Sequence, residues 1–162
     1  MDETTTNYVD AAILGTVAGL RSQLPLALLV LAARRNPALA DALPAPLRHP
    51  MAPAVLTASA IGEIVVDKLP FTPSRLQPGS LIVRSGLGGL AGALLLRSRN
   101  ESTRAGAIIG AAWALAGSFA GYYVRTGIVR KTHLPDPLVA VAEDGAGIAL
   151  GLHAVLANQP PA

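Results

Sequence analysis

The sequence predicts an all-α fold, a polytopic transmembrane bundle of about five helices. Three observations carry this. Hydrophobic residues make up 51% of the chain and charged residues 14%, whereas a soluble domain usually needs about 25% charged residues to wet its surface. The stretch from Ala105 to Val124 holds no charge over twenty residues, enough to cross a hydrocarbon core of about 30 Å. The Lys and Arg residues gather at the ends of apolar segments, where membrane proteins use them to set topology. Aromatics are few, so the apolar mass is Ala, Leu, Val, Ile and Gly, the composition of closely packed membrane helices.

In chain order, residues 1–7 read as a polar, acidic tail with no positive n-region, which is not a cleavable signal peptide. The first apolar helix, about Tyr8 to Ala33, would then act as an uncleaved signal. It is interrupted by Arg21 and Pro25. Pro25 removes a hydrogen bond and clashes with the carbonyl of Arg21, so the helix must kink or break there. A second helix covers about Met51 to Leu69. A third, about Ser80 to Leu96, is short and glycine-rich, and it either spans or re-enters. Re-entry is tolerated only where protein or water covers the backbone. The fourth, Ala105 to Val124, is bracketed by Arg104 and Arg125, with Tyr122 and Tyr123 at an interface. The fifth covers about Pro137 to Ala157, leaving a frayed tail at 158–162. The connections, such as "ARRNPALADALPAPLRHP" and "PFTPSRLQPG", have loop chemistry. The whole chain, 1–162, reads as one transmembrane domain.

Helices one and two resemble helices four and five: "VAGLRSQLP" parallels "FAGYYVRTG", and "LTASAIGEIVVDKLP" parallels "LVAVAEDGAGIAL". With one helix between them, the pairs would form an inverted two-helix repeat, an arrangement common in secondary transporters. Chance similarity of Ala- and Gly-rich helices is the alternative. Arginine and lysine are nearly balanced between the two sides, with a lean toward an external amino terminus.

The chemistry-bearing residues are charges inside apolar helices. An ionised group at membrane depth needs a partner, a proton or water. Glu63 and Asp67 share one helix face, being four residues apart, with Lys68 adjacent at the helix end. Glu143 and Asp144 sit about two turns inside helix five. Adjacent residues diverge by about 100°, so one faces the bundle and the other a neighbouring helix or cavity. Arg21 and Arg84 are the candidate counter-ions, because a guanidinium bonds both oxygens of a carboxylate. The expected network is Arg21, Glu63, Glu143, Asp144 and Arg84, with Asp67 and Lys68 as members or interface markers. Gly15/Gly19, Gly88/Gly92, Gly106/Gly110, Gly117/Gly121 and Gly147/Gly151 read as helix-contact faces, which also suit a homodimer.

The absence of cysteine excludes disulfides, thiolate metal sites and thiol nucleophiles. No HExxH, GxSxG or Walker motif is present, so no metal, cofactor or enzyme activity is expected. The basic residues form no stripe with aromatics, which argues against nucleic acid as a partner. The expected partner is the lipid bilayer.

The motifs "GLRSQLP", "EIVVDKLP" and "AEDG" resemble those of a bacterial membrane-protein family catalogued as a domain of unknown function, number 4126. "DPLVAVAEDG" resembles the family's NP-to-ED stretch, with Asp136 where Asn is more usual. The resemblance covers most of the chain. It implies an integral, helical, multi-pass membrane protein, in the inner membrane of a bacterium, with no assigned activity. Two functions remain open: a small ion- or proton-coupled transporter or channel working through the buried charges, and a structural or partner-binding membrane subunit with a static salt-bridge network.

Overall fold

The computed structural model of the chain describes residues 2–66, 76–132 and 134–156. Among these the fold is all helical. The helices are α1 (Glu3–Leu20), α2 (Leu24–Ala32), α3 (Pro37–Ala42), α4 (Ala45–Arg48), α5 (Ala52–Val66), α6 (Pro78–Ser98), α7 (Thr103–Thr132) and α8 (Asp136–Leu156). Helices α6, α7 and α8 are each long and apolar enough to cross a membrane. The expected loop after the first helix holds two short helices, α3 and α4. Asn36 starts α3 by accepting a hydrogen bond from the Leu39 N–H. The expected amino-terminal tail is instead helical from Glu3, where Asp2 accepts from the Thr5 N–H. Residues 158–162 lie outside the described residues.

The interrupted first segment is where structure and expectation differ most. The helical ladder stops at Arg21, whose extended backbone closes α1 by donating its N–H to Val17 O at 2.7 Å. Pro25 then falls in the first turn of α2, where its missing N–H costs nothing. The break is therefore where Pro25 demands it, but the chain does not kink onward. Arg21 bonds Asp144 at one level, and Asp10 and Ala154 share Arg99 at another, so α1 and α8 are antiparallel. Gly147 meets Leu24 and Gly151 meets Leu28, so α2 runs parallel to α8. Hence α2 doubles back on α1. The two form a re-entrant helical hairpin, and the amino terminus lies on the same face as the α3–α4 region. This undoes the parity on which an external amino terminus was favoured. Conversely, the glycine-rich third helix is the 21-residue α6, long and apolar enough to span.

Helix α5 starts among Leu39 and Leu43 of the core and ends with Glu63 at the α1–α2 turn. It runs in the same direction as α1, whereas α7 and α8 are antiparallel. Helix α2, the other half of the first segment, runs opposite to α5, so the first segment matches the antiparallel α7–α8 pair through α2 and not through α1.

Helices α6 and α7 form the most extensive pairing, and α1 packs across both. The contact is made by glycines. A Cβ on Gly92 would collide with the Gly106 carbonyl, and one on Gly15 would lie 2.5 Å from Gly110 O. Gly19, Gly88 and Gly117 meet neighbouring backbone in the same way, and Gly121 is buried on α7. Without a hydrophobic drive between helices in lipid, such close backbone approach is what holds them. The glycine faces read as helix contacts are thus used inside the chain. Alongside them, Leu14, Val17 and Leu29 pack with Leu94, Leu95 and Leu96 as the apolar core.

Candidate functional site: a charge cluster at the re-entrant turn

The turn between α1 and α2 leaves two helix ends inside the bundle. Helix ends carry unpaired backbone groups and partial charge, positive at the amino end and negative at the carboxyl end. Each end here meets a side chain of the matching sign.

At the amino end of α2, Glu63 supplies the carboxylate. Its Oε1 accepts from the Ser22 N–H at 2.9 Å and from the Ser22 hydroxyl at 3.0 Å, and its Oε2 accepts from the Gln23 N–H at 3.0 Å. At the carboxyl end of α1, Arg84 donates through Nη1 to Gly19 O at 2.7 Å, and the Ser118 hydroxyl, whose shorter bond is to Ala114 O at 2.8 Å, lies 3.2 Å from the same oxygen. Arg84 also links the two ends, donating to Glu63 Oε1 at 3.3 Å, while its Nε donates to Ser80 Oγ at 3.1 Å. Arg84 lies about 9 Å along α6, at 1.5 Å per residue from Pro78, so the cluster sits inside the length of this apolar helix rather than at its end.

Arg21 forms the adjacent pair. It is 1% exposed, and its Nε donates to Asp144 Oδ1 at 2.5 Å. Its Nη1 donates to Leu20 O at 3.3 Å, another carbonyl at the end of α1.

Glu143 and Asp144 diverge, as adjacent helical residues must. Asp144 faces Arg21, while Glu143 faces α7 and lies 3.8 Å from Arg125. Arg125 is held mainly by Asp136, through Nε at 2.8 Å and Nη2 at 2.5 Å. The expected network is therefore divided. Arg21 with Asp144 and Glu63 with Arg84 surround the turn, and Glu143 belongs to a separate group with Arg125 and Asp136. Asp67 and Lys68 lie outside the described residues.

Several members escaped the sequence reading. Arg125 was read only as bracketing the fourth helix, although an acid, Asp136, stands 11 residues further on. Ser118 is a polar residue in an otherwise apolar stretch. A third cluster joins Arg99 to Asp10 at 2.6 Å, to Asn7 at 3.0 Å and to Ala154 O at 2.9 Å. Asp10 is 1% exposed. An acid inside an apolar helix was the signal that singled out Glu63, and it applied equally to Asp10.

Long apolar helices, a re-entrant hairpin and charges paired at membrane depth define a polytopic helical membrane protein. The chain belongs to the family whose model is described as Domain of unknown function (DUF4126), which matches residues 11–159. No curated protein and no solved structure matches the chain.

Proposed function

We propose that the protein is a small ion- or proton-coupled transporter or channel, with Glu63 as the moving charge. One observation carries this reading: a carboxylate occupies the amino end of a half-helix inside the span, beside a buried guanidinium. Half-helix amino ends at membrane depth are where transporters hold anionic groups, because the N–H groups and the dipole both favour negative charge. In this chain the anion is the protein's own side chain. A proton taken up by Glu63 removes its charge. The Ser22 and Gln23 N–H groups and Arg84 then lose their anionic partner, and the same donors become available to an anion from solution. Proton uptake and anion entry at one place form a coupled step.

The test is flux in proteoliposomes, with a trapped pH dye and chloride outside. The wild type should dissipate an imposed proton gradient faster than empty liposomes. Glu63→Gln keeps an oxygen acceptor for the turn but cannot change charge, so proton movement should fall at least tenfold while the protein stays folded. Because the chain lacks cysteine, Gln23→Cys gives a second readout: an impermeant thiol reagent should label it faster in the Glu63→Gln background.

The alternative, a structural subunit, has its own support: each oxygen of Glu63 is already satisfied by protein groups. Absence of flux, combined with a lower melting temperature for Glu63→Gln, would establish a static clasp and end the transport reading.

A further inference from the structure

Helices α7 and α8 are consecutive in sequence, yet they pack loosely. The groove between them has a volume of about 380 Å³ and is walled by Leu20, Gly117, Ala120, Val124, Val139 and Ala142. That volume lies in the range of ligand sites. Glycine and alanine keep it open, since a larger side chain at Ala120 or Ala142 would fill it.

The groove is apolar along its length and charged at one end, where Arg125 and Glu143 also line it. Asp136 makes two short hydrogen bonds to Arg125 Nε and Nη2, and Glu143 Oε2 lies 3.8 Å from Nη1. An acidic group arriving through the groove meets the Nη1 side of the guanidinium, away from the Nε and Nη2 atoms that Asp136 holds. Gly117, Gly121, Val124 and Ile128 form the ridge of α7 that faces the groove. Lys131 is the next residue of that ridge by helical spacing, and it is exposed. Arg125 lies about 33 Å along α7 from Thr103 at 1.5 Å per residue, a span comparable with the hydrocarbon core, and Tyr122 and Tyr123 stand beside it as interfacial aromatics do. Around this end the described residues supply Arg125, Arg130 and Lys131 against Asp136 and Glu143, an excess of positive charge.

We propose that this groove binds an anionic lipid, with one acyl chain between α7 and α8 and the acidic headgroup on Arg125 and Lys131. The shared chemistry is an acidic head on a long chain, and a free fatty acid and an anionic phospholipid both have it. The proposal does not rest on the transport reading, since its readout is bound lipid rather than flux.

The test is native mass spectrometry of the purified full chain, titrated in separate arms with oleate, phosphatidylglycerol and phosphatidylcholine. One acidic lipid per chain should be retained, at least tenfold more strongly than phosphatidylcholine. The acidic arm that binds more tightly identifies the source. Ala120→Phe and, on the opposite wall, Ala142→Phe should each abolish retention; Ala120 and Ala142 are exposed, and circular dichroism checks that the helices persist. Lys131→Gln should reduce the preference for acidic heads severalfold without altering the preference for chain length. Equal retention of phosphatidylcholine would overturn the proposal. So would undiminished retention in both Phe variants. A shift from dimer to monomer in those variants, with lipid retention unchanged, would reassign the groove to a second copy of the chain.

Discussion

Gly110→Ala is expected to destabilise the protein by about 3 kcal/mol, the upper part of the usual range for overpacking. Gly110 lies where α1, α6 and α7 cross. A Cβ added there would run into the Gly88 carbonyl oxygen, with Gly88 C at 2.9 Å and Gly89 Cα at 3.2 Å. These are backbone atoms, so no side chain can rotate away, and relief requires α6 to move off α7. Gly15 of α1 leans on Gly110 from another direction, with the Gly110 carbonyl 2.5 Å from where its own Cβ would be, so a shift of α7 disturbs that contact as well. Gly127, on the same helix, has nothing within 4 Å of the corresponding position. Gly127→Ala should therefore be neutral or stabilising by up to about 1 kcal/mol, the ordinary gain in helix propensity. Unfolding of both variants in detergent micelles makes the comparison. Equal stability would mean that the glycine crossing contributes little to holding the bundle.

The same glycines show what was legible in the sequence and what was not. Their spacing marks a face that a backbone can approach closely. It does not say whether that backbone belongs to another copy or to the same chain, and in this protein it is the same chain. Helix three was read as short and glycine-rich, but Gly88 and Gly92 are covered by α7, and tertiary packing outweighs the low helix propensity of glycine. Pro25 and Arg21 located the break in the first segment, since local hydrogen bonding decides where a ladder ends. The direction taken after the break depends on remote partners, Leu24 against Gly147 and Leu28 against Gly151, and nothing local encodes them. Glu63, Arg84, Arg21 and Asp144 were legible because a charge in an apolar helix is costly and must be paired. Their pairing was not legible, because the main partners of Glu63 and Arg84 include backbone groups freed by the break. A backbone N–H leaves no trace in composition.

Arg21→Ala is expected to cost about 3–5 kcal/mol, the usual penalty for stranding one member of a buried ion pair. Arg21 is 1% exposed and Asp144 7%, so the remaining carboxylate would lose its Arg21 partner with little access to bulk water. Asp144→Asn should cost less, because the amide oxygen still accepts from Nε and because Arg21 keeps its bond to Leu20 O. The double variant Arg21→Met with Asp144→Leu distinguishes attraction from stranding. A buried pair recovers by mutual attraction only part of its desolvation cost, so removing both charges should restore most of the lost stability. The Arg125–Asp136 pair gives the contrast. It has better geometry, with two hydrogen bonds, but the Asp136 side chain is 53% exposed. Water already reaches Asp136 there, and Asp136→Asn should cost no more than about 1 kcal/mol. The order Arg21→Ala, then Asp144→Asn, then Asp136→Asn follows burial rather than the number of hydrogen bonds, and equilibrium unfolding in bicelles tests it. If the double variant is as unstable as Arg21→Ala, the guanidinium acts chiefly through the end of α1, where it completes the turn, and Asp144 is a secondary partner.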